Sequence, residues 1–78
     1  MTAPTPGRIR LASTTLAAAA YSDSSRQLEL EFVDGRRYVY CGVPERLYRD
    51  LLSALSKGTF FNQYIRGHFC YAKLPFEN

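Results

Sequence analysis

The segment "RQLELEFVDGRRYVYC", residues 26–41, constrains the fold more than any other stretch of the chain. Leu28, Leu30 and Phe32 alternate with Gln27, Glu29 and Glu31, the period of a strand with one apolar face. Asp34-Gly35 is a hairpin signal, and "RRYVYC" is the returning strand. Loop length then decides the function of Tyr38 and Tyr40, because a one-residue slip turns every side chain to the other face. With a two-residue loop, Leu30 faces Val39 and both tyrosines stand beside the glutamates, open for stacking. With a three-residue loop of Val33, Asp34 and Gly35, the glycine takes the left-handed bulge position and Phe32 faces Arg36. Leu30 then pairs with Tyr38, Leu28 with Tyr40, and Glu31 with Arg37. The second register gathers the apolar residues and sets opposite charges across the strands, so it is preferred. It makes the tyrosines walls of the core with hydroxyls at the rim.

Upstream, residues 1–12 hold two prolines, a glycine and no apolar period, and read as a flexible lead-in. Residues 14–23, "TTLAAAAYSD", carry four alanines that favour helix, but the segment is short and the flanking Thr and Tyr lean to strand. A first strand is expected there, turned by "SDSS". Downstream, Pro44 suits the first turn of a helix. Leu47, Tyr48, Leu51, Leu52 and Leu55 repeat at helical spacing to about Ala54. Residues 56–67 read as a second short helix, with Ser56 as N-cap and Gly67 as left-handed stop. In it Phe60, Phe61, Tyr64 and Ile65 point to one side, and Thr59, Asn62, Gln63 and Arg66 to the other. Phe69 and Tyr71 are placed for a last short strand. The expected fold class is α+β, an antiparallel β-meander of three to four strands packed against two short helices. One domain spans residues 13–74, with a tail at 75–78.

Seventy-eight residues allow one small core, and six Tyr and five Phe must mostly fill it. Cys41 and Cys70 are too few for a disulfide scaffold or a zinc quartet, and read as free buried thiols. A single bridge between them is conceivable in an exported chain, but "GRIRLASTTLAAAAYS" is a poor signal peptide, interrupted by Ser13, Thr14 and Thr15. No run approaches the ~18 apolar residues of a membrane span. The expectation is a cytoplasmic monomer that does not enter the membrane.

The chemistry of catalysis is thin. His68 is the one histidine, and its H-x-C spacing to Cys70 lacks further metal ligands. Glu29 and Glu31 share the solvated face of a strand, and the glycines sit singly at turns and caps. No catalytic residue, metal or cofactor is assigned. The net charge of +3 and pI near 9.1 suit an anionic partner. Lys57, Arg66 and Lys73 lie on or near the second helix, with Asn62 and Gln63 as neutral hydrogen-bonding groups. Arg36 and Arg37 follow the hairpin tip. Basic residues interleaved with Tyr and Asn suit phosphates and unstacked bases.

The succession "LELEFVDGRRYVYCGVP" and then "YRDLLSALSKGTFFNQYIRGHFCY" resembles the KTSC domain. This short bacterial module is named for its place at the C-terminus of some lysyl-tRNA synthetases, and it also stands alone. The resemblance rests on Tyr38-x-Tyr40, Val43-Pro44, Ser56, Gly58, the Phe60-Phe61-Asn62 run and Ile65-Arg66. "AAAAYS" departs from the family's more usual Gly-Tyr-Asp-like turn. Attachment to a synthetase implies a non-catalytic RNA-binding module, for tRNA or another structured RNA. The residues this nominates are Tyr38, Tyr40, Asn62, Arg66 and Tyr71, with Lys57 and Arg37 adding charge. Because the preferred register turns Tyr38 and Tyr40 inward, the Lys57–Arg66 flank is the favoured contact surface. The alternative is a protein-interaction module that docks through exposed aromatics.

Overall fold

A computed structural model describes residues 8–75. Parts of the lead-in and tail, residues 1–7 and 76–78, lie outside the described residues. Strands β1 (Ile9–Arg10), β2 (Leu16–Ser22), β3 (Gln27–Phe32) and β4 (Arg37–Cys41) lead into helix α1 (Glu45–Ser53). Helix α2 (Lys57–Phe60) runs straight into a π-helical turn over Phe61–Ile65, and β5 (Tyr71–Leu74) closes the chain. The five strands form one antiparallel sheet in the order β1-β2-β3-β4-β5. The α+β meander with two short helices is therefore the observed architecture. It has five strands rather than three or four, because β1 pairs Ile9 with Ala19 within the stretch read as lead-in.

The three-residue turn is the one that forms. Leu28 faces Tyr40, Leu30 faces Tyr38, and Glu31 faces Arg37. Gly35 sits at φ 93° and donates its N–H to the Phe32 carbonyl at 2.9 Å, while the Phe32 N–H reaches the Arg36 carbonyl at 2.8 Å. Glycine adopts that left-handed backbone without a Cβ penalty. Leu28 and Leu30 are fully buried under α1 and the π turn, in a core completed by Leu16, Val43, Leu51, Phe61 and Ile65. Tyr21 donates its hydroxyl to the Val43 carbonyl at 2.5 Å and stacks on Tyr48 at 5.1 Å, which ties α1 to the sheet.

The opposite face of the sheet is a charge lattice over small residues. Ala18 lies beside Arg10 and Glu31, and Ala20 beside Glu29, yet both alanines are buried. Their cross-strand neighbours are all longer, and the aliphatic stems of such charged side chains can cover apolar surface while the heads stay wet. Arg8 pairs with Glu31, and Arg37 approaches Glu29 at 3.9 Å. The cross-strand register of Glu31 and Arg37 is as expected, but the arginine head also leans along the strand to the next glutamate.

Four local expectations are corrected. Leu55 is fully exposed instead of lying on the apolar face of α1, because the chain leaves the helix at Ala54 in an extended conformation. The second helix does not keep a 3.6-residue period. After Phe60 it widens to a π turn, with the Arg66 N–H bonded to the Phe61 carbonyl at 2.9 Å, so its two faces do not persist. Tyr64 is consequently exposed, its ring tilted against Phe60 at 4.8 Å. Cys41 and Cys70 are free, as expected, but both are exposed rather than buried, since each is one residue off the tyrosine face.

Candidate functional site

Alternation along β4 sends Tyr38 and Tyr40 to the face that carries the helices, and pairing with β5 adds Tyr71 directly opposite Tyr40. The helices cover this face only in part. They end at Gly67, whose φ of 80° turns the chain back toward the sheet, and β5 is left with Tyr71, Ala72 and Lys73 exposed. The uncovered strip is a groove of about 270 Å³. Tyr38, Tyr40 and Tyr71 line its floor, with Phe32 and Phe61 at the core end. Asp34, Arg36, Arg66 and Gly67 complete the lining.

The rings form a continuous array. Tyr38 meets Tyr71 edge-on at 5.8 Å, Tyr40 lies 5.6 Å from Tyr71, and Phe61 closes on Tyr40 at 5.7 Å. Each spacing is within the range of favourable aromatic pairs. The array grades outward from Tyr40, 5% exposed, to Tyr71, 62% exposed. The floor is therefore buried at one end and open to solvent at the other.

The electrostatics are set by two guanidinium groups and three phenols. Burial pushes the Tyr40 hydroxyl up to about 12, with the neighbouring Tyr38 and Tyr71 adding to the rise and Arg66 opposing it. At neutral pH Tyr40 is thus a hydrogen-bond donor and not a base. Asp34 is held below the usual carboxylate range chiefly by its hydrogen bond from the Arg36 side chain. Arg36 Nε reaches Asp34 Oδ2 at 2.7 Å, and the Arg36 N–H reaches Oδ1 at 3.1 Å. This clip fixes the Arg36 head beside the Tyr38 hydroxyl, which also favours its charged form. No cluster of three or more His, Cys, Asp or Glu able to hold a metal occurs among the described residues.

Of the residues nominated from sequence, Tyr38, Tyr40, Tyr71 and Arg66 come together in the groove. Lys57 does not join them. It borders a separate hollow with Ser13, Thr15 and Gly58, and its ammonium donates to the Ala54 carbonyl at 2.9 Å. Arg37 lies on the glutamate face, and Asn62 is exposed on the π turn without lining the groove. Arg36, Asp34, Phe32 and Phe61 were not nominated. Arg36 was within reach of the same reasoning. A three-residue turn that sets Phe32 opposite Arg36 puts that arginine, and not Arg37, on the tyrosine side.

Residues 12–69 match the family model described as the KTSC domain. A crystal structure of a KTSC domain protein from Yersinia pestis superposes with a TM-score of 0.82 at 38% identity, over 87% of this chain and 96% of that one. A protein of Tsukamurella paurometabola is 37% identical over 73% of this chain and 85% of its own length. A lysine–tRNA ligase of Nostoc punctiforme is 38% identical over 70% of this chain, a stretch that makes up 10% of the ligase. No helix among the described residues is long and apolar enough to cross a membrane. With residues 12–69 matched by the family model and most of its length shared with these proteins, the chain belongs to the KTSC domain family.

Proposed function

We propose that this domain is a non-catalytic RNA-binding module that takes an unpaired nucleotide of a structured RNA, such as tRNA, into the Tyr38–Tyr40–Tyr71 groove. The observation that carries this reading is the meeting of an exposed ring, Tyr71, with Arg36 and Arg66 in the lining of one groove. A base stacks on a phenol ring whatever its identity, and the Arg66 guanidinium meets a flanking phosphate, with Arg36 and its Asp34 partner beside it. The volume of about 270 Å³ is at the lower limit of small-molecule pockets, enough for one flat group and too small for an extended ligand. The groove's carboxylate is clamped by arginine and Tyr40 is held protonated, which supports a binding rather than a catalytic role. A KTSC-like segment within a lysine–tRNA ligase supports a place near RNA. This moves the favoured contact surface from the Lys57–Arg66 flank to the groove, with Arg66 common to both.

The test is an NMR titration of the full chain with bulk tRNA at several salt concentrations. Shifts centred on Tyr38, Tyr40, Arg66, Gly67 and Tyr71 are expected, with log affinity falling linearly in log salt. Arg66→Ala should lower that slope by about 1, Arg36→Ala by less because Asp34 already neutralises its guanidinium, and Arg37→Ala should leave it unchanged. Absence of binding at low salt, or shifts confined to the glutamate face of the sheet, overturns the reading.

A further inference from the structure

Cys41 ends β4 and Cys70 immediately precedes β5, on the next rung of the register that pairs Tyr40 with Tyr71. The rung is in place, since the Cys41 N–H donates to the Cys70 carbonyl at 2.9 Å. Residues opposed in this way on antiparallel strands hold their α-carbons about 5.5 Å apart. That is inside the ~4.4–6.8 Å that a disulfide spans, and the β-carbons, ~5 Å apart in such a pair, reach the ~4.5 Å a bridge needs by a small shift of the edge strand. Alternation turns both side chains to the face away from the helices, and both cysteines are exposed free thiols. The two sulfurs therefore share an open face with no packed layer between them and solvent.

We infer that Cys41 and Cys70 form a reversible intramolecular dithiol–disulfide pair. With a peroxide as oxidant, one thiolate attacks the O–O bond, gives a sulfenic acid and releases water. The second thiol then displaces the sulfenic oxygen as a second water, so two thiols and one peroxide yield one disulfide and two waters. With a small-molecule disulfide such as oxidised glutathione, the first attack gives a mixed disulfide and releases one glutathione. The second thiol expels the other. An exposed cross-strand bridge of this kind belongs to the reducible class rather than the permanent structural one. Its mechanical effect falls on β5, a four-residue edge strand whose first residue is Tyr71. The bridge pins the strand at the residue before that ring and closes a loop containing both helices, which restricts the unfolded chain. This inference does not depend on what the groove binds.

The experiment treats the purified, reduced full chain with oxidised glutathione and, separately, with one equivalent of hydrogen peroxide. Intact mass and thiol counting are read before and after dithiothreitol. The expected product is a monomer that has lost two hydrogens and both thiols, returns fully on reduction, and melts at least ~5 °C above the reduced form. Cys41→Ser and Cys70→Ser chains should instead stop at a single glutathione adduct. Stable double adducts, disulfide-linked dimers, or over-oxidised sulfurs without an internal bridge in the unsubstituted chain would overturn the inference.

Discussion

Tyr40 concentrates the competing demands on this chain in one side chain. Its ring is needed in the core beside Phe61, yet its hydroxyl lies among Tyr38, Tyr71 and Arg66 at the floor of the groove. Burial keeps it protonated to about pH 12, above the ordinary phenol value near 10. A folded pKa raised above the unfolded one stabilises the fold fully below pH ~10, and that contribution is lost as pH rises through 12. Urea denaturation should therefore show a stability that declines by roughly 1–3 kcal/mol between those limits. Tyr40→Phe should remove most of that decline. What remains in the variant belongs to Tyr21 and Tyr48, whose hydroxyls burial also raises. An unchanged profile in Tyr40→Phe would mean that the ring is not desolvated as described.

Between elements, a close approach occurs at Gly58 of α2, where the helix is laid against the residue that leads into β2. A Cβ built there would lie 2.7 Å from Thr15 Oγ1 and 3.1 Å from Thr15 Cβ. Alanine normally gains up to ~1 kcal/mol over glycine in a helix. Here overpacking of about 1–3 kcal/mol should win, because Thr15 Cβ is fixed to the backbone and rotating the hydroxyl away relieves only part of the clash. Gly58→Ala should thus destabilise, and a Thr15→Ala background should relieve part of the loss. A coupling of at least ~0.5 kcal/mol in the double-mutant cycle is the expected reading, and simple additivity would contradict the contact. Elements differ in how openly the sequence declares them. The β3–β4 hairpin is legible because alternation and Asp34-Gly35 agree on one register, and the Ser56 cap is legible from residue type, its hydroxyl accepting from the Thr59 N–H at 3.3 Å. Strand β1 is not, since two residues have no period and their pairing with Ala18 and Ala19 is a tertiary matter. The π turn has no local signature either, so Tyr64 and Arg66 could not be assigned faces from 3.6-residue spacing. The groove was half legible. Parity places Tyr38, Tyr40 and Arg36 together, whereas the gap that exposes them depends on where the helices stop.

At the scale of the whole molecule, the small core and the site share one sheet face, and any test of binding must separate them. A chain of this size holds roughly 4–12 kcal/mol of stability in total. Leu51, fully buried, is the one residue of α1 in the buried core. Leu51→Ala removes its contacts with the sheet and should cost about 2–5 kcal/mol, a large part of the whole. Because one core serves every element, the loss should appear as a single lowered urea midpoint with unchanged slope and not as local fraying of α1. RNA binding, if it uses the groove, should then fall only by the fraction unfolded. Arg66 stands outside the core in the groove lining, and Arg66→Ala should shift stability by no more than ~0.5 kcal/mol while weakening binding. A Leu51→Ala chain that stays folded but loses binding outright would place the contact on α1 instead, away from the tyrosines. A folded Arg66→Ala chain that keeps full affinity and salt slope would remove the groove lining from the contact altogether.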